Sequence, residues 1–358
     1  MPTHPKKTKS KSRGNRRSLS KGLKREDRKC GNRGQIREDI KAWGKQVKIE
    51  IEAEKRARPT VAEAASVCEL YTNINSCQFH RAIKILKDPN LDTEEKKEMM
   101  VKFQDEYGTT PLQLALRREN TPYELFELLV QIGGKDAITI TDKMGYNTIH
   151  YACKEGASPE VIDDLCDFGG KDALYQQNHI GNLPIHNAAL RKSASTDVIR
   201  KLLQVGGREQ LSHNNEYGQL PVHLSVYYFN TNLEVCQILI HEGHHHGVGG
   251  EEGVGGLFTE HVDNAHKRRT TYDKLNMLKL SDCILKNIAN VASEKYGLTP
   301  TQAGAKHGFK WNTMKNLLEA TEEGDIKEGL IIYAASGEKA DLTTTYELCL
   351  RYANVLFH

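Results

Sequence analysis

The chain has 358 residues, of which 38% are hydrophobic and 27% charged, with a formal net charge of +3. That length accommodates two ordinary domains or one extended repeat array. No apolar run approaches the roughly 18–20 residues that span a bilayer, so no transmembrane segment is expected. The basic N-terminus lacks the apolar stretch of a secretory signal, and the expectation is an intracellular protein, cytoplasmic or nuclear.

The charge is polarised. Residues 1–30 carry twelve Lys or Arg against Glu26 and Asp27, about +10, which leaves the rest of the chain near −7. Residues 1–34 hold almost nothing to bury, so a disordered basic tail is expected. Lys6-Lys7, Arg16-Arg17, Lys24-Arg25 and Arg28-Lys29 are pairs that an import receptor or nucleic-acid phosphates would meet, although no aromatics are interleaved for base stacking. Residues 35–60 read as a charged helix or linker with Trp43, Val47, Ile49 and Ile51 as isolated apolar points. Over 61–104, Ala64, Val67, Tyr71 and Ile74, then Phe79, Ala82, Ile83 and Leu86, recur at helical spacings. These predict atypical N-terminal capping helices, followed by a turn at Asp88-Pro89-Asn90 and a charged helix over 94–103.

One phrase then returns four times: Gly108-Thr-Thr-Pro-Leu-Gln-Leu-Ala115, Gly145-Tyr-Asn-Thr-Ile-His-Tyr-Ala152, Gly181-Asn-Leu-Pro-Ile-His-Asn-Ala188 and Gly218-Gln-Leu-Pro-Val-His-Leu-Ser225. The leading glycines are 37, 36 and 37 residues apart. A fixed period of this size marks a solenoid, in which each unit buries its apolar face by stacking on its neighbours. Glycine supplies a tight turn, and Pro111, Pro184 and Pro221 stand where a helix start needs no N–H. A second helix follows each phrase, over 123–130, 159–166, 196–203 and 233–240. Gly133-Gly134, Gly169-Gly170, Gly206-Gly207 and Gly243 are the expected terminators. Extended segments, as at 137–141 and 174–176, return the chain to the next glycine.

The unit resembles the ankyrin repeat, whose phrase is Gly-x-Thr-Pro-Leu-His-x-Ala. His150, His186 and His223 match the histidine of that phrase, Gln113 replaces it in the first unit, and Thr148 replaces the proline in the second. The double glycines and the period of 36–37 look like the variant ankyrin-repeat proteins of diatoms. The resemblance implies an all-α, ankyrin-type helical solenoid with short β-turn or hairpin-like connections, reaching from about 65 to 356, with four clear repeats over 105–242. It also implies that the repeat histidines are structural, together with Gly108, Gly145, Gly181, Gly218 and Gly297.

Residues 243–270 read as a flexible Gly/His-rich insertion, and 271–356 as degenerate repeats and a C-terminal cap. In the last region Gly297-Leu-Thr-Pro-Thr-Gln-Ala-Gly304 revives the phrase, and a closing helix is expected over 343–356. His241-Glu242-Gly243-His244-His245 formally matches HExxH, whose chemistry needs both histidines on one helical face. With Gly243 expected to end the helix, His241, His244, His245 and His246 are weak metal ligands in a solvated loop. Eight cysteines lack close CxxC spacing and read as reduced thiols. No catalytic residue and no cofactor is expected. The functional expectation is a non-enzymatic protein-recognition scaffold, with Lys143, Met144, Tyr146, His179, Asn182, Tyr217 and Gln219 as contact candidates at the turn tips. The alternatives are a nucleic-acid-associated nuclear protein acting through its tail and a metal-binding or hydrolytic protein acting through the His-rich segment.

Overall fold

The computed structural model describes residues 69–101, 104–191, 193–227, 232–262, 268–321, 329–336 and 342–351. The basic tail, the charged segment over 35–60 and the start of the capping region lie outside the described residues. So does the end of the closing helix.

Prolines and caps decide where the repeats begin. Pro111–Leu116, Thr148–Glu155, Pro184–Leu190 and Pro221–Ser225 form a row of short inner helices. Three of the four start on proline, whose missing N–H costs nothing in a first turn. Thr148 substitutes in the second by sending its hydroxyl to the Ala137 carbonyl, 2.9 Å away. Behind them lie the outer helices Tyr123–Thr139, Pro159–Leu174, Thr196–Gly206 and Leu233–His246. Each inner helix packs on the next inner helix, and each outer helix on the next outer one.

The core runs continuously between the two rows. Leu112, Ile149, Ile185 and Val222 occupy one inner-helix position and are all buried, as are Ala115, Ala152, Ala188 and Ser225 three residues later. Small residues at the latter position let neighbouring helices approach. The outer row contributes Leu125, Leu129, Ile162, Leu165, Ile199, Leu202, Val235 and Leu239, all buried. Cys153, Cys166 and Cys236 share this core as free thiols. Burial pushes the Cys166 and Cys236 thiols up to about 12, which keeps them protonated and unreactive.

The paired glycines bend outer helices instead of ending them. Gly134 and Gly170 have φ of 58° and 65°, and the chain re-enters a helical turn after each. Residues 137–139 and Leu174 are therefore helical, not extended. The extra turn buries Ala137 and Ile138 in one repeat and Ala173 and Leu174 in the next, which a solvated strand would forgo. After Gly206, a 3-10 helix spans Arg208–Ser212.

The fourth outer helix also runs on. Gly243 lies buried inside it, and Gly247, at φ 77°, makes the left-handed cap. The cause is a close approach of two backbones: a Cβ on Gly243 would lie 3.1 Å from the Gly255 carbonyl oxygen, and one on Gly255 only 2.2 Å from that of Ile240. Val248, Val254 and Leu257 are buried here, so the glycine-rich stretch packs against the array. It leads into an antiparallel pair, Glu260–Val262 with Arg268–Thr270, in the register His261 opposite Arg269. The apolar spacing over 275–288 resolves into two helices, Thr271–Met277 and Ser281–Ile288, because the chain turns at Lys279 with φ 57°. Pro300–His307 and Trp311–Ala320 form a further pair, followed by Gly329–Ser336 and Leu342–Arg351. Among the described residues no helix is long and apolar enough to cross a membrane.

Two glycines separate backbone strain from crowding. Gly145 and Gly218 both have positive φ, 79° and 69°, but only at Gly145 would a Cβ meet the next turn, 2.9 Å from the Asn178 Cα. Gly218→Ala should cost about 1–2 kcal/mol for the left-handed backbone alone. Gly145→Ala should lose roughly 1–3 kcal/mol more through overpacking, read as a lower urea midpoint. Equal losses would show that the turns do not bear on one another.

Candidate protein-docking surface

The turn tips are built by a residue that the glycine phrase does not include. Three positions before each glycine stands Asp105, Asp142, Asn178 or Asn215, and each side-chain oxygen accepts two backbone N–H groups of its own turn. Asp105 Oδ1 accepts from Tyr107 and Thr109, at 2.9 and 2.7 Å. Asp142 Oδ1 accepts from Met144 and Tyr146, both at 2.8 Å. Asn178 Oδ1 accepts from Ile180 and Asn182, and Asn215 Oδ1 from Tyr217 and Gln219, all between 2.9 and 3.1 Å. This satisfies the donors of a tight turn with a short acceptor. The recurrence of Asp or Asn at the glycine period was the sequence signal for it.

Successive tips are then joined by backbone. The N–H groups of Lys143, His179 and Glu216 donate to the carbonyls of Tyr107, Met144 and Ile180, each at 3.0 Å. The residues just before the four glycines, Tyr107, Met144, Ile180 and Tyr217, thus form one edge. Tyr107, Met144 and Tyr217 are 64%, 56% and 60% exposed.

The contact candidates divide on this framework. Lys143, Met144, His179 and Tyr217 are exposed at the edge, and Tyr146 is half-buried. Asn182 and Gln219 are buried: Asn182 Oδ1 accepts from Asn215 Nδ2 at 2.9 Å, and Gln219 Oε1 accepts from the same amide at 3.2 Å. They position the tips and do not present side chains to solvent. Beside the edge, Lys154 Nζ lies 5.2 Å from the Tyr146 ring centre and 5.8 Å from that of Tyr151, and Arg117 lies 5.8 Å from the Tyr151 ring.

The repeat histidines tie each turn to the next. His186 Nδ1 accepts from the Leu183 N–H at 3.2 Å, so the ring proton sits on Nε2, which donates toward the His213 and Gln219 carbonyls at 3.1 and 3.3 Å. His150 Nε2 reaches the Asn182 carbonyl at 2.9 Å. Gln113 reproduces this with an amide: its Oε1 accepts from the Thr110 N–H at 3.0 Å and its Nε2 donates to the Ile140 carbonyl at 2.8 Å. His223 Nδ1 accepts from Leu220, but its buried Nε2 faces Gly256 and Thr259 without closing a hydrogen bond, and its ring stacks on His261 with centres 4.2 Å apart. Burial depresses these imidazoles, His150 to about 4 and His186 to about 3, the latter also through His213.

The HExxH residues lie on a helix but are otherwise engaged. His241 and His245 rings meet edge-on with centres 4.6 Å apart. Arg208 holds Glu242 at 2.7 Å and Glu294 at 2.9 Å. His244 is buried with Nε2 2.9 Å from the Val291 carbonyl, and His246 is half-buried. Among the described residues, no three His, Cys, Asp or Glu side chains are gathered in a metal-binding arrangement.

Residues 149–248 match a family model described as ankyrin repeats (3 copies). The fold is accordingly an ankyrin-type solenoid, and this stretch consists of ankyrin repeats. No curated protein matches the sequence. Among solved structures, the crystal structure of EF0377, an ankyrin repeat protein, is 21% identical over 60% of this chain and 95% of that one, with a TM-score of 0.44.

The buried histidines set an acid limit on stability. Their folded pKa values lie below the unfolded value of 6.5, so below that pH the folded state binds fewer protons than the unfolded state. Their contribution is whole above about pH 6.5 and is lost on acidification toward about pH 4 for His150 and about 3 for His186, at up to about 1.4 kcal/mol per pH unit for each ring. His186→Gln, which places the Gln113 solution in the third repeat, should hold stability near its original value at neutral pH and flatten the acid slope. Thermal midpoints across this pH range decide the matter, and an unchanged slope would remove His186 from the account.

Proposed function

We infer that the chain is a non-enzymatic scaffold that recognises a protein partner along the turn-tip edge and the adjoining inner helices. The observation that carries this reading is the backbone-linked row of tips. It holds Tyr107, Met144, Ile180 and Tyr217 in fixed register while leaving three of them more than half exposed. Large side chains carried on a backbone that is already fixed spare the cost of ordering that backbone on binding, which favours them as anchors. Lys143 and His179 flank the anchors and Tyr146 supports them, whereas Asn182 and Gln219 act only by shaping the edge.

Two finer readings accompany it. The 36–37-residue period and double glycines support a place among the variant ankyrin-repeat proteins of diatoms. The twelve cations of residues 1–30 support nuclear import, or contact with nucleic-acid phosphates, as a separate task of the tail.

Affinity capture from cell extract with the full-length chain, with and without nuclease, tests the scaffold reading. Met144→Ala with Tyr217→Ala should weaken a nuclease-resistant protein partner by about tenfold or more, because truncating a central anchor costs roughly 1–2 kcal/mol or above. Both sites are exposed, so folding should be unaffected. Capture that vanishes with nuclease and needs residues 1–34 would transfer the function to the tail.

A further inference from the structure

We propose that the inner-helix face of the first three repeats receives an acidic, extended segment of the partner, seated on the cation row Arg117, Lys154 and Arg191. This deepens the scaffold reading and rests on it. The three residues are spaced 37 and 37 apart and so occupy one position at the exits of successive inner helices.

The row is connected and held. Arg117 lies against the Tyr151 ring of the next repeat. Lys154 lies against Tyr146 and Tyr151, and its carbonyl accepts from Arg191 Nη1 at 2.9 Å. Arg191 Nε also donates to Ser193 Oγ at 3.1 Å. The Arg191 guanidinium fills the place of a Cβ at Gly156, where one would lie 2.2 Å from its Cζ. A glycine with φ of 76° thereby keeps that cation at the helix exit. A cavity of about 570 Å³ opens among Arg117, Arg118 and Arg191, with Phe126 in its wall and Glu119 and Glu155 also lining it.

Charge pairing separates this face from the opposite one. On the outer row, Lys87 pairs with Glu124, Lys135 with Asp172 at 2.7 Å, and Lys171 with Glu209 at 3.9 Å, each across one repeat. Lys201 meets Asp163 and Asp167 at 3.4 and 3.1 Å. Among the described residues, Arg117, Arg118, Lys154 and Arg191 form no ion pair with a carboxylate. Of the nearby acids, Asp105 accepts from the Tyr71 hydroxyl and Asp142 from that of Tyr151, each at 2.6 Å, while Glu119 and Glu155 line the cavity without an ion pair to these cations. The cations of this face are thus left for an incoming anion.

The spacing describes that anion. Packed helices stand roughly 8–10 Å apart, and an extended chain advances about 3.3 Å per residue. Carboxylates three residues apart would meet successive cations. Nucleic acid fits less well, since a phosphate at every nucleotide would also meet Glu119 and Glu155, and Glu106 and Glu216 at the tips.

Selection of random displayed peptides on the full-length protein, followed by fluorescence anisotropy of the selected peptides, tests the proposal. Selected sequences should be enriched in Asp or Glu at spacings of three. Their affinity should fall about tenfold or more in the Arg117→Ala, Lys154→Ala, Arg191→Ala variant, and should weaken as salt rises. Circular dichroism and an unchanged Tm establish that the variant is folded; Arg117→Gln with Lys154→Gln, which leaves the Gly156–Arg191 contact intact, serves if it is not. Peptides without acidic enrichment, or bound equally by the cation variants, would overturn the proposal. If those peptides lose binding to Met144→Ala with Tyr217→Ala, the scaffold reading stands while the acidic partner falls. An oligonucleotide that binds the full-length chain tighter than any selected peptide, and is released by the same cation substitutions, would also overturn it.

Discussion

A single hydrogen-bonding requirement recurs through the array: one side chain must accept from the start of its own inner helix and donate across to the next turn. A neutral imidazole has one acceptor and one donor on opposite sides of a rigid ring. A primary amide has the same pair on a flexible stem, which explains why Gln113 and His186 are interchangeable in role. Ring protonation would turn the Nδ1 acceptor into a donor facing the Leu183 N–H, so burial and geometry both favour the neutral form. The turns inherit their register from this bond, and the exposed edge inherits its register from the turns.

The period of the glycine phrase made the stacked architecture legible, together with the inner helices, the buried Leu/Ile and Ala positions and the exposed Met144 and Tyr217. Other features depended on contacts between distant segments. Gly243 read as a helix terminator because a lone glycine near a helix end usually is one. Its actual place is set by Gly255, twelve residues later, whose backbone lies against it. Asn182 and Gln219 read as surface residues because they follow the turn glycine. They are buried because the Asn215 amide bonds to both, reaching back to Asn182 in the preceding turn and to Gln219 within its own.

The two rows of the solenoid use charge differently. Ion pairs between successive outer helices are exposed and individually worth little, with a typical contribution of about 0–1 kcal/mol. Their larger effect is to neutralise the outer surface. On the inner row Arg117 and Lys154 instead lie against tyrosine rings and Arg191 bonds to the Lys154 carbonyl, contacts that leave the charge uncancelled. The same chain therefore pairs several of its outer-row cations with carboxylates across repeats and leaves Arg117, Lys154 and Arg191 without such a pair.

The stack of His223 on His261 has a mechanical meaning. In an array whose units touch only their neighbours, cohesion is a sum over interfaces, and each interface can be held by different contacts. At His150 and His186 the cross-turn bond is closed; at His223 it is replaced by a ring stack and a buried nitrogen left open. That junction therefore holds less through its repeat histidine than through the Gly243–Gly255 backbone contact and the bond from His244 to the Val291 carbonyl.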